Sequence, residues 1–86
     1  MSHKINETKQ FRDHYEAIRS KSPRVAEFLE GVRFILERDP SAGYHWGRGI
    51  WCLSSVHSPN LPLATIFYSF SAQEIRLLDI IEVVLM

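Results

Sequence analysis

Apolar residues return at helical spacing through the first half of the chain and at strand spacing through the second. Between Glu7 and Lys21, Phe11, Tyr15 and Ile18 stand at i, i+4 and i+7, with Arg12, Asp13, Glu16 and Arg19 between them. That period places the three on one stripe of an amphipathic helix, which Thr8 is placed to cap. His3 to Asn6, ahead of it, is a candidate short strand. Ser22-Pro23 then restarts the chain, serine as N-cap and proline in the first turn, where its missing N–H costs nothing. Val25, Phe28, Leu29, Val32, Ile35 and Leu36 follow at three- and four-residue intervals, predicting a second helix to Arg38. Gly31 inside it costs about 1 kcal/mol relative to alanine, which points to close approach of the first helix. Asp39-Pro40-Ser41-Ala42-Gly43 stops the second helix. Two helices joined by so short a link are expected to form an antiparallel hairpin with a shared apolar side.

From Tyr44 the period changes. Tyr44 to Gly49 reads as a glycine-rich loop, and Ile50 to Val56 as a strand with one buried face. His57 to Pro62, with two prolines and an asparagine, reads as a loop or wide turn. Leu63 to Phe70 alternates, with Ala64, Ile66, Tyr68 and Phe70 on one face. Tyr68 is expected in the core with its hydroxyl at the rim. After a turn at Ser71 to Glu74, Ile75 to Val84 is apolar on both faces except at Arg76, Asp79 and Glu82. Its leucines and glutamate favour a helix, but the β-branched Ile75, Ile80, Ile81, Val83 and Val84 tip the balance to a strand. The expected architecture is α+β, a two-helix hairpin packed on a three- to four-stranded antiparallel sheet, in one domain over residues 1–86. The hydrophobic strand end Val83-Val84-Leu85-Met86 is expected to be an edge that pairs with another chain.

Composition narrows the function classes. Of the 86 residues 45% are hydrophobic and 23% charged, which excludes a disordered or fibrous chain. The apolar run from Ile80 is broken at Glu82, far short of the roughly 20 residues that span a bilayer. A polar N-terminus without a signal-peptide core, and the single Cys52, lead to the expectation of a reducing cytoplasm. His3, His14, His45 and His57 show no ligand spacing with Cys52, so neither a metal nor another cofactor is expected. Ten basic and ten acidic residues cancel. Eight of the ten basic residues precede Asp39, and from Gly43 onward Arg48 and Arg76 face Glu74, Asp79 and Glu82.

The most chemically varied stretch is Tyr44-His45-Trp46-Gly47-Arg48-Gly49. It offers an imidazole that titrates near neutrality, a guanidinium that grips phosphate bidentately, and two rings that stack on bases. His57, in the facing loop, could join His45 as an acid–base pair. The candidate catalytic residues are therefore His45, Arg48 and His57, with Trp46 and Arg76 as substrate contacts. The competing reading makes this stretch a connection in which Trp46 caps the core and Arg48 is solvated, with Arg76 paired to Glu74 or Asp79.

Several local patterns, taken in order, resemble the RelE/ParE superfamily of bacterial toxin–antitoxin toxins. They are the helix start Lys9, Phe11 and Tyr15, the Asp39-Pro40 and Gly43 helix exit, Gly49-Ile50-Trp51-Cys52-Leu53 as a core strand, and Ile66-Phe67-Tyr68 with Ile75 to Ile80 as the last hairpin. The resemblance covers nearly the whole chain. It implies a growth-inhibiting toxin that cleaves ribosome-bound mRNA or poisons DNA gyrase and is neutralised by a cognate antitoxin. In the cleaving branch a ribose 2′-hydroxyl attacks the next phosphate, which requires a base, a donor to the leaving oxygen and cations. This chain departs from the family at Leu63-Ala64-Thr65, where an arginine is common, and at Glu82 to Met86, which lacks the family's lysine, arginine or tyrosine. The alternative is a catalytically degenerate toxin fold acting as a binding module or homodimer.

Overall fold

The computed structural model describes residues 3–55 and 63–82. Strand β1 (Lys4–Glu7) leads into helices α1 (Lys9–Lys21) and α2 (Val25–Arg38), a single 3₁₀ turn (Pro40–Ala42), and strands β2 (Tyr44–Gly47), β3 (Ile50–Ser54), β4 (Ala64–Phe70) and β5 (Glu74–Glu82). The protein is α+β, with two helices packed on a five-stranded mixed sheet of order β1-β5-β4-β3-β2. The expected sheet of three or four antiparallel strands is corrected at both edges. β1 pairs with β5 in parallel, Lys4 beside Glu74 and Glu7 beside Leu77, while the other neighbours are antiparallel. At the opposite edge, the stretch read as a loop is β2. It pairs with β3 through a turn whose central residues, Arg48 and Gly49, have φ of 54° and 78°. Two left-handed residues are what a tight hairpin needs to match strand twist, and an arginine in the first of them carries no turn signal in sequence.

Thr8 joins β1, α1 and β5. Its Oγ1 accepts the Phe11 N–H at 3.1 Å as the N-cap, its hydroxyl donates to the Leu78 carbonyl at 3.1 Å, and its N–H donates to the Leu77 carbonyl at 3.1 Å. Ser22 ends α1, donating its N–H to Ile18 O at 2.8 Å, but it is not the N-cap of α2. That helix starts at Val25 after Arg24, without a side-chain cap, and Ser22 and Pro23 lie in the turn before it, where the Ser22 carbonyl accepts from Val25 at 2.9 Å. α1 lies chiefly against β5, with little contact to α2, so the helices are neighbours on a sheet more than a hairpin with its own core. Arg33 and Glu7 pair, linking α2 to the end of β1. Among the described residues nothing lies within 4 Å of where a Gly31 Cβ would stand, so no helix approaches it. Its helix cost is therefore not offset by packing. Gly31→Ala is expected to stabilise the protein by about 0.5–1 kcal/mol, read as a melting temperature several degrees higher.

The core lies between the helices and one sheet face. It comprises Phe11 and Ile18 of α1, Val25, Phe28, Leu29, Val32 and Leu36 of α2, Ala64, Ile66 and Tyr68 of β4, and Ile75, Leu77 and Ile80 of β5. Tyr68 is wholly buried, and its hydroxyl is not at a rim: it donates to Pro40 O at 2.6 Å and accepts from Gly43 N at 3.1 Å. Burial pushes this phenol up to about 12. Two residues expected in the core, Ile35 and Phe70, are exposed at the surface.

β5 looks apolar on both faces in sequence because its alternation slips. Tyr68 pairs with Leu77 but Phe67 with Asp79, leaving Leu78 as the extra residue of a β-bulge. Ile75 and Leu77 point into the core before the bulge and Ile80 after it, while Asp79 falls on the other face. The proposed strand end Val83 to Met86 and the loop His57 to Pro62 lie outside the described residues.

Candidate functional site on the open sheet face

The two helices cover one face of the sheet. On the other, the register aligns Tyr44, Cys52, Phe67 and Asp79 in a row across β2, β3, β4 and β5. Among the described residues no element covers this face. Tyr44 and Trp46 keep 73% and 68% of their surface, and Ile81 keeps 45%, so large apolar side chains stand open to solvent on it. Trp46 meets Phe67 edge-on, with centroids 5.9 Å apart. These two rings, with Ile50 and Leu78, floor an open concavity of about 550 Å³ whose far wall is Thr8, Gln10 and Asp79.

Its polar end is built by α1 and the β5 bulge together. β1 pairs with β5 only as far as Leu77, and the chain turns there into α1. Gln10 and His14, one helical turn apart and therefore on one side of α1, reach the next stretch of β5. Gln10 donates to Asp79 Oδ2 at 2.9 Å, and the Ile80 N–H donates to Oδ1 at 2.8 Å. His14 Nδ1 lies 2.5 Å from the same Oδ1. Burial pushes the Asp79 carboxyl up, but the hydrogen bonds from His14, Gln10 and Ile80 outweigh it, and the group sits below its usual range. An ionised carboxylate only accepts, so the hydrogen shared with His14 belongs to Nδ1, and Nε2 keeps its lone pair when the ring is neutral.

The sign of this shift gives a stability prediction. A carboxyl held low in the folded state contributes stability that is present above its unfolded value, near 3.9, and is lost as pH falls through its lower folded value. Asp79→Asn should therefore be destabilising at pH 7 but nearly neutral at pH 2. Urea midpoints for both proteins across pH 2–6 check this, and a difference independent of pH would contradict it.

The residues singled out in the sequence are spread over the sheet. His45 packs on Trp51, with ring centroids 4.9 Å apart, and Trp51 in turn on Phe70 at 5.4 Å, along the edge of the helix side. Its neighbour Trp46 points to the open face and does not cap the core. Arg48 is exposed at the β2–β3 turn. His57 lies outside the described residues. Arg76 is on β5 in a separate small depression with Ser69, Phe70, Ser71 and Glu74, paired to Glu74 at 3.3 Å, and Glu74 also accepts from Asn6 at 2.5 Å. Of the four that are among the described residues, Trp46 alone lines the concavity. Cys52, in the central row, is a thiol that burial pushes up, which makes it a poor nucleophile.

Sequence reasoning passed over Gln10, His14 and Asp79. Gln10 and His14 lie on the polar side of an amphipathic helix, and Asp79 reads as a break in an apolar strand. Their meeting depends on a contact across 65 residues. Among the described residues no three His, Cys, Asp or Glu side chains are grouped to hold a metal, and no helix is long and apolar enough to cross a membrane. No family model, curated protein or solved structure matches this chain.

Proposed function

We propose that this protein is a RelE/ParE-like toxin of the bacterial cytoplasm, the growth-inhibiting half of a toxin–antitoxin pair, which cleaves mRNA on the ribosome and is neutralised by a cognate antitoxin. The observation that carries the reading is the open sheet face. An aromatic-floored concavity walled by polar groups is a shape that single-stranded RNA can enter, with bases stacked on Trp46 and Phe67 and the backbone beside Gln10 and Asp79. The resemblance in Phe11, Tyr15, Gly43, Trp51 and the β4–β5 hairpin supports the same assignment.

A second reading rests on a different feature of that face. Its apolar residues are exposed, whereas Arg76 is tied to Glu74, leaving few cations for a phosphate backbone. This favours a degenerate toxin fold that binds a protein partner or a second copy of itself. Induced expression distinguishes the two. The toxin reading expects growth arrest with loss of intact mRNA, relieved by co-expression of the adjacent open reading frame. Arrest with intact mRNA and stalled replication points to gyrase, and normal growth with a stable complex on size-exclusion chromatography points to the binding module.

A further inference from the structure

We propose that His14 is the general base of the RNA-cleaving reaction, with Asp79 and Gln10 as its positioning residues. The inference rests on the toxin reading above and adds to it a residue outside the Tyr44–Gly49 stretch.

Three observations bring the roles together. The carboxylate that orients His14 is itself fixed, one oxygen taking the Ile80 N–H at 2.8 Å and the other the Gln10 amide at 2.9 Å, so the imidazole docks against a held partner. That partner accepts from Nδ1 at 2.5 Å, which leaves Nε2 as the nitrogen able to accept a proton. The His14 side chain is 53% exposed, and its helix neighbour Gln10 and its partner Asp79 both wall the concavity. A substrate strand lying on Trp46 and Phe67 thus passes beside a base already in the accepting tautomer. The charged groups acting on the imidazole are Asp79 from β5 and, on its own helix, Asp13, whose carboxylate is held by Lys9 at 2.8 Å.

The protein requires no nucleophile of its own, because RNA supplies one. His14 Nε2 takes the proton of a ribose 2′-hydroxyl, the 2′-oxygen bonds to the adjacent phosphorus, and the bond from phosphorus to the 5′-oxygen breaks. The leaving 5′-oxygen takes a proton from water. The products are a 2′,3′-cyclic phosphate and a 5′-hydroxyl, and His14 returns its proton to solvent.

The test uses the full chain with ribosomes programmed by a defined mRNA, following cleavage rate against pH for the native protein, His14→Gln and Asp79→Asn. The native rate is expected to rise through the range in which imidazoles lose their proton and then level. His14→Gln should cleave about 10²- to 10⁴-fold more slowly and lose that rise, the usual worth of a positioned base. Asp79→Asn should also be slower but keep an ascending limb, since the titrating ring remains. His14 is exposed, so a thermal melt of His14→Gln close to the native one is expected and separates chemistry from folding. Cleavage by His14→Gln at the native rate with the native profile overturns the role of His14 and leaves the toxin reading standing, whereas growth arrest by the native protein with mRNA intact overturns the role of His14 together with the mRNA-cleaving reading. A native protein that neither arrests growth nor cleaves mRNA overturns both.

Discussion

Phe11→Ala is expected to remove about 3–5 kcal/mol of folding stability, a large part of the 5–15 kcal/mol typical of a small domain. Phe11 is fully buried, its ring stacks on Tyr15 with centroids 5.9 Å apart, and its N–H is the one capped by Thr8. Truncation would leave a void where α1 meets β5, and a backbone pinned by Thr8 to Leu77 and Leu78 has little freedom to collapse into it. The result should be a urea midpoint lowered by at least about a fifth, up to a chain unfolded at 37 °C if the native stability lies at the low end of that range. Phe34→Ala supplies the control. Phe34 is 59% exposed, so its loss should cost well under 1 kcal/mol. Equal effects of the two substitutions would mean that the core is not where the packing puts it.

The second large effect is expected at Gly43, for a reason independent of backbone conformation. Its φ is −79°, which any residue adopts, but a Cβ there would stand 2.4 Å from the Tyr68 hydroxyl and 2.6 Å from the Cys52 carbonyl oxygen. The carbonyl belongs to β3 and cannot move without the sheet. The hydroxyl is held by Pro40 O at 2.6 Å and Gly43 N at 3.1 Å. Gly43→Ala combines overpacking, about 1–3 kcal/mol, with a buried hydroxyl forced from its partners, about 1–3 kcal/mol, for a total of roughly 2–6 kcal/mol. Tyr68→Phe alone should cost about 1–3 kcal/mol by leaving the Gly43 N–H and the Pro40 carbonyl unpaired. The double variant should cost less than the sum of the singles, because removing the hydroxyl relieves the nearer of the two clashes. Strict additivity in that cycle would show that Gly43 and Tyr68 do not meet.

Both sites follow from contacts that differ in how far the sequence discloses them. The stripe Phe11, Tyr15 and Ile18 is legible at once, because a helix brings residues three and four apart onto one side through hydrogen bonds that are themselves local. The same holds for α2 and for the alternation that buries Ala64, Ile66 and Tyr68. Gly43 is legible only as a helix stop, since the contact that demands it comes from a tyrosine 25 residues later.

The open face was harder to read, for three physical reasons. β2 contains a glycine and a bulge, and its turn uses a left-handed arginine, so it lacks the β-branched signature of a strand. The β5 bulge at Leu78 shifts the side-chain phase, so that Leu77 and Ile80 share a face and Asp79 turns outward, and no period-two rule announces where a slip occurs. The parallel pairing of β1 with β5 joins the two ends of the described chain. Adjacent residues that looked like one cluster, His45 and Trp46, separate for the simplest of these reasons: successive side chains on a strand point to opposite faces.

By itself, then, the amino-acid sequence determined the two helices, the strands β3 to β5, most of the core and the α+β class, because each depends on periodicity within a few residues. Tertiary structure alone decided the five-stranded mixed sheet, the open aromatic face and the placement of Gln10 and His14 against Asp79. Those depend on register, on a one-residue bulge and on where β1 lets go of β5, which are set by packing between segments that the chain keeps far apart.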